Sequence, residues 1–97
     1  MFEVRQTEVF LNWLDNLRDR KAQAAIAQRI VRMQSGLMGD VKYFDGIGEA
    51  RVHFGPGYRL YFKSTGKALI ILLCGGDKAS QERDIRIAVR LGKELGS

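Results

Sequence analysis

A Gly55-Pro56-Gly57 triplet separates two runs, Gly48 to Phe54 and Tyr58 to Ser64, in which apolar and polar residues largely alternate. Period-two alternation marks strands with one buried face, and a Gly/Pro triplet between two such runs closes them into a hairpin. This strongly constrains the fold, because a slip of one residue would turn the apolar side chains to solvent and the charges into the core. Folding about the triplet pairs Phe54 with Tyr58, His53 with Arg59, Val52 with Leu60, Arg51 with Tyr61 and Ala50 with Phe62. Ala50, Val52, Phe54, Leu60 and Phe62 then share an apolar face. Arg51, His53, Arg59 and Tyr61 share the opposite one, with Glu49 and Lys63 at the far end of that row, placed to neutralise each other.

The rest of the chain supplies what the apolar face must meet. Phe2 to Gln6 alternates as a short strand, Thr7 is a candidate N-cap, and Phe10, Trp13, Leu14 and Leu17 fall at helical spacing. A second helical period runs through Ala22, Ile26, Ile30, Met33 and Leu37, with Gly36 as its stop, and the two helices form a hairpin joined near Asp19. Strands are expected at Val41 to Phe44 and Lys67 to Cys74. The run Leu69 to Cys74 lacks alternation, so it is expected to be covered at least partly on both faces. Gly75-Gly76-Asp77 ends it, and Asp77 or Ser80 can cap a last helix carrying Ile85, Ala88, Val89 and Leu95. The order predicts one α+β domain over residues 1–97: an N-terminal strand and helical hairpin packed on a mainly antiparallel sheet, with a C-terminal helix.

Composition narrows the function classes. With 97 residues there is room for one small domain, burying about 60 to 65% of its unfolded surface. A hydrophobic share of 45% with one proline argues against disorder, and the longest apolar run, Ala68 to Cys74, is too short to span a bilayer. Met1 leads directly into Phe2-Glu3-Val4-Arg5 with no secretory pattern, and one cysteine cannot form an internal disulfide, so a cytoplasmic location is expected. One histidine and one cysteine do not supply a typical zinc site, and Asp40, Asp45, Glu49 and Asp77 lack recognisable metal spacing. No metal or other cofactor is expected. Gly75-Gly76-Asp77-Lys78 lacks the spacing of a nucleotide-binding phosphate loop, and Cys74 reads as a core or strand-end residue.

What remains is the cationic row. Arginines close together on a strand face repel each other, and an anion would relieve the repulsion. The arginine fork suits a phosphate, Tyr61 offers a ring and a hydroxyl, and a net charge of +5 suits a polyanionic partner. A hydrated outer sheet face is the plain alternative. For metal-free cleavage of RNA, the 2′-hydroxyl attacks the adjacent phosphorus while one group accepts its proton, another protonates the departing oxygen and cations stabilise the transition state. Arg51 and Arg59 are the candidate stabilisers. His53 is a candidate acid or base, because histidine titrates near neutrality. Lys78 is a candidate source of charge or a proton. Arg51, Arg59, Tyr61, Lys63 and Lys78 are the candidate RNA contacts.

The blocks Gly48-Glu49-Ala50-Arg51, Gly55-Pro56-Gly57-Tyr58-Arg59 and Cys74-Gly75-Gly76-Asp77-Lys78, with the final Asp84-Ile85 and Ala88 helix, resemble the RelE/ParE toxin superfamily. The similarity spans essentially the whole chain and points to the HigB-like addiction module killer toxins of bacterial type II toxin-antitoxin systems. The resemblance implies a ribosome-dependent mRNA endoribonuclease, an mRNA interferase, that inhibits translation and arrests growth. It also implies a cognate, commonly DNA-binding, antitoxin. ParE-like members instead poison DNA gyrase, and fold alone does not choose between the two; a non-catalytic binding module is a third reading. Arg59 matches the basic residue that contacts the scissile phosphate in RelE-like toxins, and Lys78 falls near another basic position. Where those enzymes use a tyrosine in the last segment, this chain has Asp84 nearby.

Overall fold

The computed structural model describes residues 2–66 and 68–96; Met1, Ser97 and Lys67, the expected start of the last strand, lie outside the described residues. In chain order the elements are β1 (Glu3–Gln6), α1 (Glu8–Asp15), α2 (Arg20–Gln34), β2 (Val41–Phe44), β3 (Ile47–Val52), β4 (Tyr58–Thr65), β5 (Leu69–Asp77) and α3 (Gln81–Gly96). The sheet runs β1-β5-β4-β3-β2, with β1 parallel to β5 and every other pair antiparallel. The α+β class, the N-terminal strand, the helical hairpin and the C-terminal helix are as the sequence predicts.

Local chemistry explains the element ends. Thr7 caps α1 by accepting from the Phe10 amide, and its hydroxyl donates to the Leu73 carbonyl at 2.6 Å, tying the helix start to β5. Asp19 caps α2 through the amides of Lys21 and Ala22. At the other end Gly36 takes φ +86°, and the Gly36 and Leu37 amides turn back to the carbonyls of Met33 and Arg32, a glycine C-cap of the Schellman type. The chain therefore leaves the helix before Leu37, which is 65% exposed rather than part of the apolar stripe. Leu95 likewise lies in the open on α3.

Each face of the sheet carries its own core. The α1-α2 hairpin buries Phe10, Ala22, Ile26, Ile30 and Met33 against Ala50, Val52, Leu60, Phe62, Ile70 and Leu72. On the other face α3 packs Ala88, Ile85 and Val89 over Ile47, Tyr61, Leu73 and Cys74. A bulge in the β4-β5 ladder, where Tyr61 pairs with Cys74 but Phe62 with Leu72, leaves Leu73 as the extra residue. β5 is thus covered on both sides, which is why its sequence does not alternate.

The expected hairpin register needs correction. Val52 pairs with Tyr58, Arg51 with Arg59, Ala50 with Leu60, Glu49 with Tyr61 and Gly48 with Phe62. The Phe54 amide turns back to the Val52 carbonyl and the Gly57 amide to the Phe54 carbonyl. The loop therefore extends over residues 53–57, longer than the glycine-proline triplet. The displacement keeps strand parity, so the two faces hold the expected side chains except His53 and Phe54, which leave the ladder, Phe54 still packing against the core under the helical hairpin. Gly48 is required opposite Phe62, because a Cβ there would enter the ring.

Candidate functional site

Strand parity and pairing bring the cationic candidates to one end of the sheet. Arg51 near the end of β3 faces Arg59 near the start of β4, and Arg59 in turn faces Gly76 on β5, two residues before Lys78. His53 stands in the loop just beyond Arg51. The site is therefore built from the β3-β4 loop and the β5-α3 junction, with α3 behind it.

Two arginines directly opposite each other would repel, and the chain supplies the counter-charges itself. Arg59 Nε lies 3.5 Å from Glu49 Oε2, with side-chain exposures of 13% and 3%. Glu49 also accepts from Gln81 Nε2 at 3.1 Å, which fastens the first turn of α3 to β3. Arg51 Nη2 lies 3.4 Å from Asp40 Oδ1. The repulsion read from the sequence is thus met by Glu49 and Asp40. Glu49 does not pair with Lys63, whose ammonium donates to the Gly92 carbonyl of α3 at 2.8 Å.

Asp40 also holds His53. Its Oδ2 lies 2.6 Å from His53 Nε2. The hydrogen bond from His53, joined by the charge of Arg51, holds the Asp40 carboxyl below its ordinary range despite some desolvation. An ionised carboxylate only accepts, so Nε2 donates and the neutral ring keeps Nδ1 as a free acceptor. The His53 side chain is 75% exposed. Asp40 is placed in turn by Arg29, which reaches from α2 to the carbonyls of Met38, Asp40 and Arg51.

Tyr61 and Lys63 do not join this site. The Tyr61 ring is fully buried beneath α3 and cannot stack on a base. Burial and the neighbouring Glu49 raise its phenol well above the ordinary range. The hydrated outer face that a half-exposed sheet would show is absent here because α3 covers it. Cys74 donates to the Asp84 carbonyl at 3.4 Å, and burial, with Asp84 second, pushes its thiol up to about 12. It is a core residue, as the sequence indicates.

The sequence pairs Glu49 with Lys63 rather than Arg59, and does not indicate Asp40 as the partner of Arg51 and His53 or Gln81 as the partner of Glu49. The available signal was parity: Glu49 shares a strand face with Arg51 and Arg59. The Asp40 contacts depend on the path between α2 and β2. Among the described residues no group of three or more His, Cys, Asp or Glu side chains could hold a metal ion, and no helix is long and apolar enough to cross a membrane.

These features define a small α+β domain with a cationic site at one end of a doubly covered sheet. Over 95 residues, 97% of this chain and 96% of its relative, the sequence is 46% identical to a Haemophilus influenzae protein described only as uncharacterized. The chain belongs to the same family as that protein. No family model matches the chain, and no solved structure matches it.

Proposed function

We propose that this protein is the toxin of a type II toxin-antitoxin system, a HigB-like member of the RelE/ParE superfamily, and that it cleaves mRNA on the ribosome without a metal ion. The observation that carries the reading is the gathering of Arg51, Arg59 and Lys78 beside a histidine whose ring is oriented by a carboxylate. In this reading His53 Nδ1 accepts the proton of the attacking 2′-hydroxyl, with Asp40 fixing the ring and stabilising the imidazolium that forms. Arg51 and Arg59 stabilise the negative charge that builds on the phosphate oxygens. Lys78, exposed on the turn after β5, protonates or neutralises the departing 5′-oxygen. The net charge of +5 favours approach to ribosomal RNA. A cognate antitoxin encoded alongside and a cytoplasmic site of action belong to the same proposal.

Mapping RNA 5′ ends after brief expression tests it. New ends inside translated frames, absent from untranslated copies of the same messages, are the expected result. Intact messages with accumulating DNA breaks would identify a gyrase poison, and growth arrest with neither lesion a non-catalytic binder.

A further inference from the structure

Beyond the C-terminal end of β5 a cleft of about 690 Å³ opens between α1 and the start of α3. Trp13, Gly75 and Gly76 line it together with three cations, Lys78, Arg83 and Arg86, two acids, Asp77 and Glu82, and the polar turn between them. The indole is held from behind by Phe10, with ring centres 5.6 Å apart, and by Tyr58 at 6.2 Å. It packs on Gly75, where any Cβ would enter the ring. Trp13 is only partly buried and lines the cleft, so part of the indole is open to a ligand there.

The charges around the ring favour an anion. Among the described residues Lys78 and Arg86 have no acidic partner within 4 Å, and Arg83 leans toward Asp84 at 3.7 Å with its side chain 70% exposed. Of the acids at the cleft, Asp77 is engaged by the Ala79 and Ser80 amides, and Glu82 is exposed on the first turn of α3. An aromatic platform ringed by cations is how single-stranded nucleic acids are held without base-specific hydrogen bonds.

We infer that this cleft is a nucleotide subsite, in which a base of single-stranded RNA stacks on Trp13 while Lys78, Arg83 and Arg86 hold the flanking phosphates. The identity of the polymer rests on the ribonuclease reading; the ring and the cations do not. Lys78 connects the two places, because it follows the β5 residues that face Tyr58 and Arg59. Arg51 and Arg59 lie on the α3 face and Trp13 on the hairpin face, so a strand that occupies both places must round the end of β5, where Lys78 stands.

Trp13 is the only tryptophan in the chain, so its emission reports on this cleft alone. The probe is a dye-labelled single-stranded oligoribonucleotide of about ten nucleotides, within the range such grooves cover. Binding is followed by anisotropy and by Trp13 emission over a series of salt concentrations. Wild-type protein is expected to bind with quenching of Trp13. The Arg83→Ala/Arg86→Ala double variant, altered at two exposed positions, is expected to bind about tenfold or more weakly, with a salt slope shallower by about 1.4 for two lost phosphate contacts on a single strand. Binding without a change in Trp13 emission overturns the subsite, as does unchanged affinity and slope in the double variant, or no binding by the wild type. The cellular 5′-end map judges the activity separately. New ends alongside an unresponsive Trp13 would remove the subsite and keep the ribonuclease, whereas quenching without new ends would keep a nucleotide cleft and remove the ribonuclease.

Discussion

Arg59 is both a candidate phosphate contact and the partner of a buried acid, and the second role governs how its variants must be read. Truncation to alanine leaves Glu49, 2% exposed, without its cation. Stranding a buried charge in this way costs about 3 kcal/mol or more, so Arg59→Ala is expected to lose activity partly through lost stability. Arg59→Lys keeps the charge and removes the fork. It is expected to retain most of the melting temperature while RNA cleavage on programmed ribosomes falls by about tenfold to a hundredfold; a fully active Arg59→Lys protein would exclude a bidentate role. His53 carries no such burden. His53→Gln, which removes a contact between largely exposed side chains, is expected to cost less than about 1 kcal/mol of stability and to lower single-turnover cleavage by more than about tenfold, and a wild-type rate and pH profile in that variant would exclude proton transfer by His53. Asp40 sharpens the measurement. Its folded-state carboxyl titrates below the ordinary value of 3.8, so its stabilising contacts are fully present above that value and are lost only as pH falls through the lower folded one. A pH dependence of cleavage between pH 5.5 and 8.5 therefore does not come from protonating Asp40.

Among the elements, the end of β5 has the least freedom to vary. Gly75 and Gly76 face opposite sides of the sheet, and a Cβ on the first would enter the Trp13 ring while one on the second would enter the Asp84 carboxylate. Both α1 and α3 therefore approach this strand closely because it ends in glycines. The sequence suggests a sharp turn there, but β5 continues through Asp77 and the glycines serve close packing. Gly75→Ala is expected to cost about 1 to 3 kcal/mol by overpacking, lowering the melting temperature by about 4 to 8 °C for each kcal/mol in a domain of this size. Thermal unfolding followed by circular dichroism checks this, and a variant as stable as the wild type would show that Trp13 can move aside freely.

For the whole molecule, the two cores share one sheet, with β4 and β5 contributing side chains to both. Separating either helical layer would expose apolar surface on strands that also support the other layer, so the two faces are expected to unfold together. Trp13 and Cys74 report on opposite faces. Emission of the single tryptophan and labelling of the single thiol by a disulfide reagent are expected to share one denaturant midpoint, with negligible labelling of the native protein at pH 8 because the thiol is buried and pushed up to about 12. Labelling at lower denaturant than the loss of Trp13 emission would show that α3 detaches by itself.

Element identities and strand faces were legible in the sequence because both are local. Period-two alternation in β3 and β4, the helical spacing of Phe10 and Trp13 or of Ile26 and Ile30, and the Thr7, Asp19 and Gly36 punctuation each depend on neighbours only a few residues away. Parity also brought Arg51 and Arg59 onto one face correctly, even though the register was displaced, because the displacement preserved the alternation. Tertiary structure decided what covers that face. The apolar stripe of α3 can be read from Ile85, Ala88 and Val89, but nothing local says that it lands on Tyr61 and removes it from solvent. The sheet order, the return of Asp40 to His53 and Arg51, and the seating of Trp13 on Gly75 likewise join segments far apart in the chain. Such contacts form only when the whole molecule packs, and the physical cause is the need to bury two apolar sheet faces at once while giving each enclosed charge a partner.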